Sequence, residues 1–335
     1  MKPLLLIFSF FILLFSNSHQ DNSYELGRGY TITASDEQSL HIAGHISTVL
    51  SFTENEPQKL SSESLGLMLY GDLSSSTCYL IEYGGDDLLV TQDDKHSSKK
   101  VIRNRLYIEQ ELGEEISLKI GQFLTPIGIW NPTYISALRS SINTPFVADD
   151  FFPKIITGLG ISGKMGESSG YSLFYHTDKE TDQNKAHIRA RDFMGGELFY
   201  EFGLKGRIAL PFGKYKSFSS KDESLFSGVN VLLPIGVDEL SFEYLYMDKV
   251  WKERSWIVQA GYVQYLKKVA KNHFINMRAG IKHHLHKFQD DNVVMGYMFR
   301  PKRSSALKLE LRHHSLRAKT DEKSNDFSLS YSVLF

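Results

Sequence analysis

Phe327-Ser328-Leu329-Ser330-Tyr331-Ser332-Val333-Leu334-Phe335 decides the fold. Apolar residues occupy every second position, with Ser328, Ser330 and Ser332 between them. Alternation at period two places one set of side chains on each face of an extended strand. The same signature recurs upstream. Leu40, Ile42, Ile46, Leu50 and Phe52 mark a first strand, Leu65, Leu67 and Leu69 a second, and Tyr79, Ile81 and Tyr83 a third. Leu106 and Ile108 mark a fourth, opposite Arg103, Arg105, Tyr107 and Glu109. Ile116, Leu118 and Ile120 alternate with Ser117, Lys119 and Gly121 on a fifth. Ten further segments follow, from Ile155–Ile161 through Leu307–Leu311, before the terminal one. No segment carries a helical repeat. The expected count is about sixteen strands, within a range of about fourteen to eighteen.

Link lengths sharpen this reading. Long polar links are expected at 53–62, 85–100, 125–154, 176–187, 214–223, 247–254, 286–292 and 316–326. Mostly shorter turns fall between them, at 72–76, 112–115, 163–169, 203–205, 234–238, 267–273 and 300–305. A soluble sandwich has no reason to lengthen every second connection, whereas a membrane barrel has long loops on one side and short turns on the other. The expected fold is therefore all-β: a closed antiparallel transmembrane β-barrel. Hydrocarbon offers backbone N–H and C=O groups no partner, so the sheet must seal on itself. Inward faces then meet water, which accounts for a mean hydropathy of −0.25 in a chain with 13% aromatic residues. Tyr, Phe and Trp near strand ends suit interfacial girdles.

The flanks fit export. Lys2 followed by the apolar run Leu4 to Phe15, with Ser16 and Ser18 at signal-peptidase spacing, is expected to be a cleaved signal peptide, residues 1–18. Residues 19–38 are then a periplasmic N-terminal segment and 39–335 the transmembrane barrel. The run is too short for a spanning helix. Phe327, Leu329, Tyr331, Val333 and Phe335 resemble the terminal strand by which outer-membrane barrels engage the barrel assembly machinery. Cys78 is the single cysteine, which excludes an intrachain disulfide or a cysteine zinc site. A net charge of −1 offers nothing to nucleic acid.

Two stretches resemble the phosphate-selective porin O and P family of Gram-negative outer-membrane porins. One is Gly27-Arg28-Gly29-Tyr30-Thr31-Ile32-Thr33 with Ser39-Leu40-His41-Ile42-Ala43-Gly44-His45-Ile46. The other runs Arg105-Leu106-Tyr107-Ile108, Leu112-Gly113, then Leu118-Lys119-Ile120-Gly121-Gln122-Phe123-Leu124-Thr125-Pro126-Ile127-Gly128. The resemblance covers about a third of the mature chain. It implies a sixteen-stranded barrel in the cell outer membrane, usually a homotrimer, with the third outer loop folded inward to narrow the pore. Here the longest link, Thr125 to Pro153, is third among the outer links when counted independently. Trp130, Asn131, Arg139, Asp149, Asp150 and Lys154 are its candidate constriction residues. Phosphate recognition needs several converging Arg or Lys donors, and this loop sets Arg139 against two adjacent aspartates, so its charge departs from a phosphate filter.

Taking the face opposite the apolar set as lumen, its basic residues are Arg103, Arg105, Lys119, Arg189, Arg191, Lys205, Arg207, Arg278, Lys282, Lys308 and Arg312. Glu82, Glu109, Glu197, Glu201, Glu243 and Glu310 oppose them. The excess would favour anions by concentrating counter-ions; the plainer reading is that these charges pair across the wall. Asp192 falls on the nominal lipid face, so the membrane part of its strand should begin below it. The histidines are expected to be structural or at the rim: His284 and His286 share one strand face about 7 Å apart, reachable by one metal only with side-chain adjustment, His41 and His45 are more widely spaced, and His283-His284 and His313-His314 point to opposite faces. No cofactor and no catalytic set is expected. The expected function is passive diffusion of small hydrophilic solutes or anions, with outer-membrane lipids and lipopolysaccharide around the wall. The rivals are a barrel lipase or protease and a plugged structural or adhesion barrel.

Overall fold

The structure is a computed structural model that describes residues 24–25, 27–34, 38–54, 56–86, 90–92, 95–97, 101–149, 151–177, 188, 190–217, 222–251, 254–285, 288–317 and 322–335. The expected signal segment 1–18 lies outside them. One sheet holds every described strand. Sixteen of these form the barrel: β1 (Ser39–Thr53), β2 (Lys59–Ser74), β3 (Thr77–Asp86), β4 (Val101–Glu111), β5 (Ile116–Leu124), β6 (Ile155–Lys164), β7 (Ser169–His176), β8 (Ala190–Phe202), β9 (Gly206–Ser217), β10 (Glu223–Ile235), β11 (Asp238–Trp251), β12 (Arg254–Ala270), β13 (His273–His284), β14 (Phe288–Lys302), β15 (Ser305–Arg317) and β16 (Glu322–Leu334). Each pairs antiparallel with its sequence neighbour. β16 returns to β1, with Leu334 opposite His45 and Asp326 opposite Thr53. The closed ladder leaves no barrel strand with a free edge facing lipid.

Below the point where β16 stops, a short strand, Gly29–Ala34, takes over the edge of β1 through Tyr30–Ile42 and Ala34–Ser39 pairs. Gly29 makes this approach at φ 85°, where an added Cβ would lie 2.0 Å from the Ile42 carbonyl oxygen. Phe335 closes the seam above it: its N–H donates to the Gly44 carbonyl (2.7 Å) and its carbonyl accepts from the Gly44 N–H (2.6 Å). At the other end, Val90–Gln92 and Lys95–Ser97 pair with each other, and Val90–Gln92 also pairs with β2 at Lys59–Ser61.

The expected links contract on the loop side. Much of 214–223, 247–254, 286–292 and 316–326 is strand: β9 runs to Ser217, β11 to Trp251, β14 starts at Phe288 and β15 runs to Arg317. A tilted strand needs only about 9–11 residues to cross hydrocarbon, and β12 has 17. The surplus continues as polar hairpin in water. Loss of alternation there marks the exit from lipid, not the end of the strand.

The outer wall carries exposed Leu67, Ile81, Leu106, Ile120, Leu210, Met295 and Leu311, among many others. An apolar surface of this extent has no counterpart on a soluble monomer. On β8 the register slips between Arg191 and Met194, which oppose Lys216 and Lys214, and Asp192 sits in the bulge at φ 48°. An extra residue reverses parity beyond it. Arg191 consequently shares the outward side of its partner Lys216, and its placement in the lumen is corrected.

Candidate functional site

The link from Thr125 to Lys154 turns into the barrel, and its base is stapled shut. The Thr125 N–H donates to the Lys154 carbonyl at 2.9 Å, and Asn131 Nδ2 donates to the carbonyls of Thr125 (2.7 Å) and Lys154 (3.3 Å). The Thr125 hydroxyl donates to the Pro153 carbonyl. Trp130 is buried, with the guanidinium carbons of Arg139 and Arg278 at 4.8 and 5.5 Å from its ring. Arg139 also donates Nε to the Thr133 carbonyl at 2.6 Å, bending the loop back on itself.

One side of the loop is apolar. Ile127, Val147, Phe151 and Phe152 join an aromatic cluster on the inner wall: Phe123 (β5), Ile156 (β6), Phe174 (β7), Phe193 (β8), Tyr215 (β9), Phe226 (β10), Leu245 and Met247 (β11), and Val258, Ala260 and Tyr262 (β12). Phe152 stacks on Phe226 at 5.9 Å and Phe193 meets Phe174 edge-on at 4.7 Å. Phe151 and Phe193 have no exposed surface. The four-residue helix α1 (Phe146–Asp149) carries Val147 into this cluster.

Carboxylates of the wall hold the other parts. The Tyr134 hydroxyl donates to Glu82 on β3, which also accepts from Arg105 Nε and lies 3.1 Å from His45 Nε2. Arg105 in turn donates to the Tyr134 oxygen at 2.9 Å. Glu310 on β15 accepts from the Ser141 hydroxyl (2.6 Å), the Ile142 and Asn143 N–H groups (2.8 and 2.9 Å) and Asn143 Nδ2 (2.5 Å). Beside it Lys308 donates to the Ser136 carbonyl at 2.5 Å, and Arg278 to the Ser141 hydroxyl and the Asn143 carbonyl at 3.2 and 2.8 Å. Glu243 accepts from the Ile129 N–H, and Glu197 from the Gly128 N–H at 3.3 Å. Gly128 is required there: at φ 83° a Cβ would fall 2.6 Å from Glu243 Oε1. The loop is thus bonded to β1, β3 and β4 on one side of the lumen and to β8, β11, β13 and β15 elsewhere around it.

The expected lumen charges divide three ways. Arg105, Arg278 and Lys308 bind the loop. Lys119 pairs with Glu109 at 2.9 Å, Arg207 with Glu197 at 2.5 Å and Arg312 with Asp326 at 2.5 Å, so each of these three charges is matched locally. Lys282 lies 5.7 Å from the Phe288 ring. Lys205 sits exposed in the turn between β8 and β9 rather than on a wall strand, a second correction. Arg103 lies on β4 and Asp149 closes α1, with side chains outside the described set; Arg189, Asp150 and His286 lie outside it altogether. Phe327, Leu329, Tyr331, Val333 and Phe335 share one side of the closing seam, with Phe327 level with Phe52, whose ring centroid lies 5.9 Å away. Among the described residues no group of acidic, histidine or cysteine side chains is arranged to hold a metal.

Sequence reading missed Tyr134 and Ser141 as contact points, and it missed the inner aromatic wall. A signal was present for the wall. Phe174, Phe193, Tyr215 and Phe226 occupy the face that alternation assigns to water, on consecutive strands, opposite a loop containing Phe151-Phe152.

No family model matches the chain, and no curated protein matches it. Solved structures do. The anion-selective porin from Comamonas acidovorans is 12% identical at a TM-score of 0.66, over 89% of this chain and 100% of that one. OmpT, an outer membrane protein of Vibrio cholerae in its trimer form, is 10% identical at 0.66, over 90% and 100%. The outer membrane channel DcaP of Acinetobacter baumannii is 9% identical at 0.61, over 92% and 100%. The chain has the porin fold. At these identities the likeness is one of architecture: a closed barrel of sixteen antiparallel strands.

Proposed function

We propose that this porin-fold barrel is an outer-membrane channel for passive diffusion of small hydrophilic solutes, with the Thr125–Lys154 loop as its constriction. The observation that carries the reading is that this loop crosses the lumen of a closed, apolar-walled barrel and is bonded to several sides of it. Nothing in such a device calls for a covalent step. Selection is by size and by the field of charges along the remaining passage. Because Lys119, Arg207 and Arg312 are each matched by an acid, anion preference is weak, and a dedicated phosphate filter lacks its converging free donors. The resemblance to the phosphate-selective porin O and P family is then one of scaffold.

The wall supports a homotrimer in the outer membrane, among lipopolysaccharide and other lipids. Outward side chains of β2 to β6 are mainly aliphatic, including Leu65, Leu67, Leu106, Ile108, Ile120 and Leu159 beside Tyr83, whereas β7 to β12 add Tyr175, Tyr200, Phe212 and Phe242 to aliphatics such as Leu198, Leu210 and Leu225. Interfacial aromatics mark lipid contact, so the aliphatic sector suits contact between copies. The terminal strand, ending on Phe335, serves the barrel assembly machinery.

Planar-bilayer recording tests the channel. Stepwise conductance with a shallow salt-gradient reversal potential is expected. Silence would favour a second reading, the plugged barrel, which the fully buried Phe151 and Phe193 in one apolar cluster also suit. Hydrolysis of lipid or peptide by the silent protein would favour an enzyme instead.

A further inference from the structure

A groove of about 570 Å³ lies on the outer wall where β7 to β11 leave the apolar belt on the loop side. The outward residues of β9 change character there: Ile208, Leu210 and Phe212 are followed by Lys214 and Lys216, all exposed. Strand register sets the neighbours of each lysine. Lys214 stands between Met194 on β8 and Leu225 on β10, with Tyr175 and Asp248 next along the same row. One row further out, Lys216 stands between Arg191 and Glu223. The bulge on β8 re-aims Asp192, and Lys216 Nζ lies 3.5 Å from both Asp192 and Glu223.

The acids of the groove are engaged away from Lys214. Asp192 and Glu223 share Lys216, and Asp248, two strands from Lys214, accepts from the Ser255 hydroxyl at 2.5 Å. Among the described residues Lys214 has no ion pair, and the side chains that flank it, Met194 and Leu225, are apolar and exposed. An ammonium carries three donors, so Lys214 offers all of its own and Lys216 keeps one. Short turns of such barrels face the periplasm and the longer loops the outside, so the groove meets the outer leaflet, whose glycolipid bears phosphates. We propose that it docks the phosphorylated end of lipopolysaccharide, with a phosphate between Lys214 and Lys216 and acyl chains on Met194, Leu225 and Phe212. Residues two apart on one strand face are about 7 Å apart, so both ammonium groups reach a single phosphate. One row lower, the small exposed Ser227 separates Phe212 from Tyr246 and leaves a trough for a chain. Basic side chains at headgroup level hold anionic lipid in this way. The inference rests on the outer-membrane placement of the barrel and not on conduction.

Native mass spectrometry of the folded barrel, titrated in detergent with bisphosphorylated lipid A, tests this whether or not the barrel conducts. A saturable adduct is expected. Lys214→Gln, which breaks no ion pair, should weaken it roughly fivefold, and Lys214→Gln combined with Lys216→Gln by more than about tenfold. Lys267→Gln, at an exposed position near the turn end of β12, should leave it unchanged. Lipid A stripped of its phosphates, and phosphatidylglycerol, should each bind at least about fivefold more weakly. Millimolar inorganic phosphate should not displace lipid A. Binding indifferent to Lys214→Gln, or reduced as much by Lys267→Gln, overturns the assignment. So does equal binding of phosphatidylglycerol, which marks a general anionic-lipid surface, or displacement by inorganic phosphate, which marks a site for the free ion. A barrel that conducts but takes no lipid A sinks this inference alone.

Discussion

The two sides of the inner loop are fastened to the barrel by different physics. Around Ile127, Val147, Phe151 and Phe152 the attachment is apolar packing against eleven aromatic and aliphatic side chains of β5 to β12. It has no preferred direction and depends on no single group. From Tyr134 to Asn143 the attachment is polar and concentrated: Glu82 holds the tyrosine, and Glu310 alone accepts four hydrogen bonds. Packing of the first kind fails gradually as atoms are removed. A carboxylate anchor fails at one substitution, because every donor it served is left buried and unmatched. The fixed side and the releasable side of the inner loop are thereby distinguishable by experiment.

The largest effect on conductance should come from removing both sides at once. Excising Ile127 to Phe152 with a short Gly/Ser bridge should raise single-channel conductance several-fold. An unchanged value would mean that the loop does not limit the passage. The next largest should come from Glu310→Ala, which frees Ser141, Ile142 and Asn143 together. At about 1–3 kcal/mol for each buried donor left unmatched, the segment should leave the β15 wall. Higher and noisier conductance is expected, with the barrel still heat-modifiable on gels. Glu310→Gln, which keeps an acceptor, should do less.

On the packed side, Phe151→Ala should lower stability by about 3–5 kcal/mol if the site does not collapse, read as a lower unfolding midpoint. Its conductance should shift less than that of Glu310→Ala, since the remaining apolar contacts still hold the loop to the wall. Should Phe151→Ala open the channel more widely than Glu310→Ala, the division into fixed and releasable sides is wrong.

How much of this the residues announce depends on which face carries the signal. The sixteen strands were legible because lipid imposes a strict demand: outward positions such as Leu106 and Ile108 must be apolar, so alternation survives. The inward fold of 125–154 was implied by the family resemblance; link lengths alone showed only that this link is the longest and third among the outer ones. Strand ends on the loop side were not, because β11 and β12 continue as polar hairpin beyond the lipid, where nothing enforces alternation. Arg191 was misplaced because a one-residue bulge inverts every parity argument beyond it, and Asp192 alone does not reveal it. The loop contacts were hidden for a different reason. Glu310 and Tyr134 meet partners more than fifty residues away, and no local spacing encodes such a meeting.

The smallest effect belongs to a charge that touches neither side of the loop. Arg312 pairs with Asp326 across β15 and β16, bonded through Nε at 2.7 Å. Its side chain is one-third exposed, while that of Asp326 is only 6% exposed. A partly exposed pair of this kind contributes on the order of 1 kcal/mol or less, so Arg312→Gln should leave the unfolding midpoint nearly unchanged. It would nonetheless leave Asp326 unneutralised on the lumen wall. A salt-gradient reversal potential should therefore move slightly toward cation preference, and more at low ionic strength, where the screening length grows to about 30 Å at 0.01 M. A shift toward anions, or one as large as that from loop excision, would place the ion-selective step at the loop-side mouth rather than at the constriction.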